Sequence, residues 1–387
     1  MRNSSRSDVD AFIVMDVLEA ARAAEASGRH IVHMEIGQPS TGAPLPACNA
    51  LTEAMAADAL GYTVALGIPA LRARIAQLYR DWYGVEVSPD RIVVTSGSSG
   101  AFLLAFSALF DSGARVAIGE PGYPSYRQIL HALGFETVGI QTSAAARYQP
   151  TPEDLEGLSL DGLMVASPAN PSGTMLGRDA LKALIETCHA AGTSFISDEI
   201  YHGIEYDAKA VTALEISDDV YVINSFSKYF SMTGWRVGWM VVPPDHVRRI
   251  ERLAQNMFIC PPHASQIAAL AALDCQDDLQ ANLDVYTENR RLMLDGLPKA
   301  GFDRIAPPDG AFYVYADVSH LTDDSLGFCR RILDEAGVAI TPGLDFDKQR
   351  GGGTVRFSYA TGTDDIREGL KRLAAFMADF TADTAHG

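Results

Sequence analysis

SFSKYFSMTGWRVGW, running from Ser225 to Trp239, is the stretch on which the reading of this chain turns. It begins at the end of one short apolar run, YVINSF, and leads into another, VGWMVV. Lys228 therefore stands just past a predicted strand, ahead of a glycine-bearing turn. The ordinary reading of such a lysine is a solvated loop residue. Two observations weigh against it. Lysine is scarce here, since only six of the 31 basic residues are lysines (Lys182, Lys209, Lys228, Lys299, Lys348 and Lys371). An amine can also deprotonate and condense with a carbonyl, which a guanidinium cannot do. Arg236, farther along the same stretch, would supply a fixed cation for a phosphate. The letters SFSK match the S-x-x-K of serine acyl-enzymes too, but the S-D-N and K-T-G strings that such enzymes need are absent.

Outward from this stretch, one rhythm holds from about residue 90. RIVVTS leads into a helix ending at Phe110, RVAIGE into a helix near 123–133, and GLMVAS into a helix near 178–191; SFISDE, YVINSF and VGWMVV follow. Short apolar strands separated by helical periods predict an α/β fold with a mostly parallel central sheet covered by helices on both faces. Ligands of such sheets bind at the carboxyl ends of the strands. Residues 279–297 read as one long helix, followed by strands FYVYAD and TVRFSYA and a helix near 364–380. That change of rhythm predicts a smaller α+β domain. Residues 8–27 read as an amphipathic helix with Val9, Phe12, Ile13, Val17, Ala20, Ala21 and Ala24 on its apolar face, capped by Ser7 or Asp8 and stopped at Gly28. Residues 31–36 read as a short strand. The expected division is a large domain over 45–280 and a small one formed by 1–44 with 281–387.

The other strand ends carry chemistry as well. Asp198 ends SFISD, with Tyr201 three residues on. A strand-end carboxylate commonly caps the next helix; within reach of a Schiff-base lysine it has a second use, pairing with a pyridinium nitrogen so that the ring draws electrons. Asn170 lies in the tight loop SPANPSGT, where asparagine is also a plain turn residue. TSGSSGAF opens a helix with Gly97, Ser98, Ser99 and Gly100, leaving backbone amides free for an anion. It is neither a dinucleotide fingerprint nor a Walker loop. Tyr123, in EPGYPSYR, is placed either to face a flat ligand or simply to pack. Arg356 sits in mid-strand in TVRFSYA, where it needs a partner: a substrate carboxylate or a structural ion pair.

Composition narrows the partners. Against 31 Lys plus Arg stand 49 Asp plus Glu, a net charge of −18, and 47% of residues are hydrophobic. That balance excludes disorder and argues against nucleic acid and anionic membrane. Five widely spaced cysteines without a CxxC read as free thiols of a reducing, cytoplasmic compartment. No apolar run approaches a membrane span, and the N-terminus lacks the apolar core of a secretory signal. No metal-ligand spacing is present, so no metal is expected.

Taken in order, GQP (37–39), GYTVALGIPALR (61–72), TSGSSGA, EPGYPSY, NPSGT, DEIY, SFSKYFSMTGWRVGW, GAFYVY (310–315), PGLDF (342–346) and VRFSYA make the chain resemble the class I/II, fold-type I pyridoxal-phosphate aminotransferases, in the aspartate/aromatic branch. The resemblance implies pyridoxal 5'-phosphate as cofactor and ping-pong transfer of an amino group from an L-amino acid to a 2-oxo acid. It implies Lys228 as the residue that holds the cofactor and moves the proton, and Asp198 as the partner of the ring nitrogen. Tyr201 and Asn170 would meet the ring hydroxyl, and Tyr123 would stack on the ring. Ser98, Ser99, Ser225, Ser227 and Arg236 would hold the phosphate. Arg356 would clamp the substrate α-carboxylate, with Asn170 and the backbone at Gly37. Tyr62 of the GYT motif would reach the partner's site in a homodimer; the alternative for Tyr62 is a core tyrosine.

In some aspartate-specific relatives a lysine in the phosphate loop binds the distal carboxylate; Ser99 stands at the matching position here, which gives no support for aspartate. A β-eliminating lyase of the C–S type on the same fold is the alternative enzyme, using the same Lys228, Asp198 and Arg356. A regulator built on this fold would need a DNA-binding domain, and only about forty residues precede the family match.

Overall fold

The computed structural model describes residues 1–384, with side chains through residue 380. The chain opens with α1 (Ile13–Ala26), β1 (Val32–His33), α2 (Leu45–Ala57) and α3 (Pro69–Tyr83). Strands and helices then alternate through β2 (Ile92–Thr95), α4 (Gly97–Leu109), β3 (Arg115–Glu120), α5 (Pro124–Leu133), β4 (Glu136–Gln141), β5 (Gly162–Ala166), α6 (Arg178–Ala191), β6 (Ser194–Asp198), β7 (Tyr221–Ser225) and β8 (Gly238–Val241). Three helices follow: α7 (Val247–Met257), α8 (His263–Ala272) and α9 (Gln276–Lys299). The last part contains β9 (Ile305–Ala306), β10 (Tyr313–Asp317), α10 (Ser325–Arg331), β11 (Val338–Ala339), β12 (Thr341–Pro342), β13 (Thr354–Ser358) and α11 (Thr363–Thr384).

The central sheet has seven strands in the order β2-β8-β7-β6-β5-β3-β4. All neighbours are parallel except β8, which runs antiparallel to both β2 and β7. Successive residues alternate between two cores. Val94, Leu163, Val165, Phe195 and Val222 face one, and Val93, Met164, Ile196, Ile223 and Met240 face the other. Burial on both faces explains why these strands read as unbroken apolar runs. Helix α4 is apolar nearly all round because it is enclosed by β7, β8, α5 and α7. The expected α/β architecture is observed.

A second, antiparallel sheet, β12-β13-β10-β9, is packed with α9 and α11 around its own core, which includes Phe302, Phe312, Val314 and Phe357. β1 pairs in parallel with β11, Val32 opposite Val338, and α1 lies against β11 and β12.

The N-terminal helix differs from its prediction. Ser5–Ser7 form a separate 3-10 turn, and α1 begins only at Ile13. Neither Ser7 nor Asp8 caps it. Its first amides, Ile13 N and Val14 N, donate instead to the Asp345 carboxylate at 3.1 and 3.2 Å. A remote carboxylate thus supplies the cap and sets the start of the helix. The inward face is Val14, Leu18 and Ala21, while Val9 is exposed. The strand read over 31–36 closes after His33, because the carbonyls of Glu35 and Gly37 accept bonds from side chains rather than from a strand. All five cysteines are free; Cys48 and Cys260 are only half-buried. Among the described residues no helix is long and apolar enough to cross a membrane, and no cluster of metal-ligating side chains occurs.

Candidate active site

The carboxyl ends of β2, β5, β6 and β7 converge on a cavity of about 610 Å³, closed on the far side by β10, β13 and the start of α1. Gly97 begins α4 at this edge with φ +71°. A β-carbon there would sit 2.5 Å from Arg236 Nη2, so glycine is required both by backbone and by close approach. Arg236 itself takes a left-handed φ of 52° and donates from Nη1 to the Thr233 carbonyl at 2.9 Å. A non-glycine residue held in that region is a strain that the surrounding turn must over-determine. The result is a guanidinium beside the free amides at the start of α4, with Ser98, Ser99 and Ser227 on the same wall.

Lys228 follows β7 and donates from Nζ to the Gly37 carbonyl at 2.5 Å. Its amine is pulled down to about 8, mainly by burial and then by repulsion from Arg356 and Arg236, against attraction from Asp198. Asp198 ends β6. Its Oδ1 accepts from Ile200 N at 3.0 Å and its Oδ2 from the Tyr126 hydroxyl. Burial lifts this carboxyl to about 6, opposed by those two hydrogen bonds and by Lys228. Tyr201 is buried, its hydroxyl 2.8 Å from that of Tyr313, and its ring centre lies 5.7 Å from Lys228 Nζ.

Arg356 is buried on β13. Nη1 donates to Asn170 Oδ1 at 2.9 Å, and Nη2 to the Glu35 carbonyl and to Thr341 Oγ1. Its guanidinium lies 4.5 Å from the ring centre of Tyr313 and 4.8 Å from that of Phe346. Its partners are neutral oxygens, and Nε has none. Among the described residues no carboxylate forms an ion pair with it, which leaves the ion-pair reading without a partner there. Tyr123, the N-cap of α5, sets its ring edge-on to Tyr126 and Phe12.

The cavity thus gathers Lys228, Asp198, Tyr201, Ser98, Ser99, Tyr123, Asn170, Ser227, Arg236, Arg356 and Gly37. Two of the expected residues lie elsewhere. The Ser225 hydroxyl is buried behind the wall, 2.8 Å from Ser227 Oγ and 3.1 Å from the Val237 carbonyl. Tyr62 is 84% exposed, which rules out a core tyrosine, and stands outside the cavity.

The sequence assigns no role to several further residues that line the cavity, although Tyr126, Tyr313 and Gln38 stand within the strings EPGYPSY, GAFYVY and GQP. Tyr126 follows Tyr123 by three residues on a helix, the spacing that puts two side chains on one face. Tyr313 lies on β10, the antiparallel neighbour of the strand that bears Arg356. Phe12, Val14, Met15 and Ile36 also line the cavity, with Gln38. The spacing puts Phe12 on an apolar stripe, and a local pattern cannot distinguish a core stripe from a cavity wall.

The sequence model of aminotransferase class I and II matches residues 29–373. The valine–pyruvate aminotransferase of Mycobacterium tuberculosis is 49% identical over 382 residues, which cover 97% of this chain and 98% of the relative. A crystal structure of an aminotransferase from Mycobacterium tuberculosis matches with a TM-score of 0.96 at 48% identity, covering 98% of this chain and 100% of that one. A crystal structure from Silicibacter pomeroyi matches with a TM-score of 0.94 at 68% identity, with the same coverage.

Proposed function

The chain belongs to the class I and II aminotransferases, and we propose that its amino donor is an apolar L-amino acid of valine type and its acceptor a small 2-oxo acid such as pyruvate. It is a pyridoxal-phosphate-dependent aminotransferase; the substrate pair and the residue roles are the proposal. The observation that carries the substrate class is the cavity wall. Phe12, Val14, Met15 and Ile36 form its apolar side, and the cations lining it, among the described residues, are Lys228, Arg236 and Arg356. With Arg356 taken by the α-carboxylate and Arg236 by phosphate, an acidic side chain finds no cation. The name of the Mycobacterium tuberculosis relative, valine–pyruvate aminotransferase, supports the same class.

The residues present fit pyridoxal phosphate. The Gly97 cradle leaves room beside Arg236 for a dianion, Asp198 is a buried carboxylate with no bonded cation, and Lys228 is a buried amine of lowered basicity. Bound there, the cofactor supplies an aldehyde that condenses with amines and a pyridinium ring that draws electrons from the substrate Cα.

Everything else falls to the chain. Arg236, Ser227 and the amides of Ser98 and Ser99 bind the phosphate. Ser225 acts one step back, orienting the Ser227 hydroxyl. Asp198 would pair with the ring nitrogen, Tyr201 and Asn170 with the ring hydroxyl, and Tyr123 would cover the ring face. Arg356 fixes the α-carboxylate. Lys228 Nζ would be the base placed to accept the proton from the substrate Cα, for which a neutral amine is needed. Two domains meet at this cavity, 45–280 and 1–44 with 281–387. A homodimer brings Tyr62 to the partner's cavity, a reading supported by exposed Leu45, Met55, Tyr62, Val64, Met257 and Ile259. The five unpaired cysteines suit the cytoplasm.

The test of the substrate class is a half-reaction panel without oxo acid, followed by the cofactor spectrum. Valine is expected to exceed aspartate in rate over affinity by on the order of 10²-fold, the cost of burying a charge without its partner. Equal or better conversion of aspartate overturns it.

The titrations give a second expectation. Asp198 must be ionised to hold the ring nitrogen, and Lys228 must be neutral to attack the aldehyde. Loading of the cofactor should therefore speed up as pH rises through about 6 and again through about 8. Tyr126→Phe deletes a bond that favours ionised Asp198, so the lower step should move to higher pH. A lower step that stays in place would remove Tyr126 from this role.

A further inference from the structure

The start of α1 is held from the opposite end of the chain. Its N-cap residue, Phe12, offers no side-chain acceptor, and both oxygens of Asp345 take the first helical amides. Asp345 is itself nearly fully buried, in the short turn Gly343–Asp345. The residue after it, Phe346, lies beneath the Arg356 guanidinium. One turn of chain therefore connects the carboxylate-binding arginine to the N-terminus of α1.

The residues fixed by this cap are the ones that face the cavity. Phe12 precedes the first capped amide, Val14 carries the second, and Met15 follows. Phe12 also meets Tyr123 edge-on, at 5.9 Å between ring centres. A second tie lies just upstream. The Asp10 carboxylate binds Gln128 Nε2 of α5 at 3.2 Å and also Lys348, three residues beyond Asp345. Residues 10–15 thus cross the cavity between α5 and the 343–348 turn. Met15 remains 49% exposed, so its own packing does little to hold it there.

We propose that Asp345 is a positioning residue for substrate selection: by capping α1 it fixes Phe12 and Met15 as the apolar wall against the amino acid side chain. The proposal rests on the apolar-donor reading above. It separates side-chain recognition from α-carboxylate binding, although both pass through the same turn. The α-carboxylate is common to all donors, so any change at Arg356 acts on every substrate alike. Loss of the wall acts only on donors large enough to reach it.

The experiment compares the wild-type holoenzyme with Asp345→Ala and Asp345→Asn, using alanine and valine as donors. In Asp345→Ala, KM for valine should rise about tenfold, the size of a lost helix cap, with kcat and the KM for alanine within about twofold. Asp345→Asn retains one acceptor oxygen and should recover most of the loss. Amide exchange at Ile13 and Val14, followed without substrate, should quicken in Asp345→Ala. KM values for both donors rising in proportion, or unchanged exchange, overturn the proposal. Should Asp345→Ala not fold, Asp345→Asn and Phe12→Ala decide it: Phe12→Ala must weaken valine and spare alanine. A wild type that does not prefer valine to aspartate contradicts the substrate reading instead, whatever the variants do.

Discussion

Lys228→Ala is expected to lower turnover by on the order of 10⁴-fold while the protein still folds and binds the cofactor phosphate. The side chain lies in a cavity rather than a core, so its removal leaves solvent-filled space and one unpaired carbonyl, that of Gly37. What is lost is an amine already near its working basicity, at about 8. Lys228→Arg should be equally inactive, since a guanidinium stays protonated and cannot accept the Cα proton. The companion measurement is borohydride reduction of the loaded enzyme followed by peptide mapping. The pyridoxyl group should appear on Lys228; recovery on any of the other five lysines defeats the assignment, as would a Lys228→Ala enzyme with near-normal turnover.

Arg356→Ala should raise KM for every amino acid by about 10²–10³-fold, the range for removing one member of a buried, hydrogen-bonded charge pair. Cofactor retention should barely change, because the phosphate is assigned to other residues: Arg236, Ser227 and the amides of Ser98 and Ser99. The expectation follows from the partners of the guanidinium, which are the neutral oxygens of Asn170, Glu35 and Thr341. A buried cation with no carboxylate of its own is poised for one that arrives with the substrate. Arg356→Lys should restore only a small part, since an ammonium can neither grip a carboxylate in two places nor lie flat over Tyr313 and Phe346. Unchanged KM in Arg356→Ala would mean that the α-carboxylate binds elsewhere.

The parallel core was legible because strands buried on both sides run apolar until they reach the site end, as Ile92–Val94 do before Thr95 and Tyr221–Ile223 before Asn224 and Ser225. Strand β4 is not legible in the sequence, for the same reason reversed. It is the sheet's edge, half-exposed, and its sequence ETVGIQ has no apolar run. The strand-end residues of the site were legible from chemistry: a lysine where arginine is the custom, and an arginine in mid-strand. What stayed hidden depends on contacts between distant segments. The Tyr126 bond to Asp198 and the Asp345 cap on α1 join residues 72 and 332 positions apart. No local period records such a meeting. Ser225 shows the converse: it stands beside Lys228 in sequence, yet its hydroxyl points one layer behind the wall.

The pairing of β1 with β11 has a consequence for how the protein is made. Glu35, whose carbonyl orients Arg356, also accepts from Thr341, which lies 306 residues later in the chain. During synthesis the first forty residues emerge long before β11 and the Asp345 turn exist, with only the contacts to α5 and Lys228 to rest on, while the seven-stranded sheet can form behind them. Closing so long a loop is a late and slow event, and the waiting segment carries an uncapped helix and exposed apolar residues. Nascent chains stalled before β11 should therefore hold a protease-resistant central sheet with a cleavable N-terminus. The cavity gains its last wall only after the C-terminal part has left the ribosome.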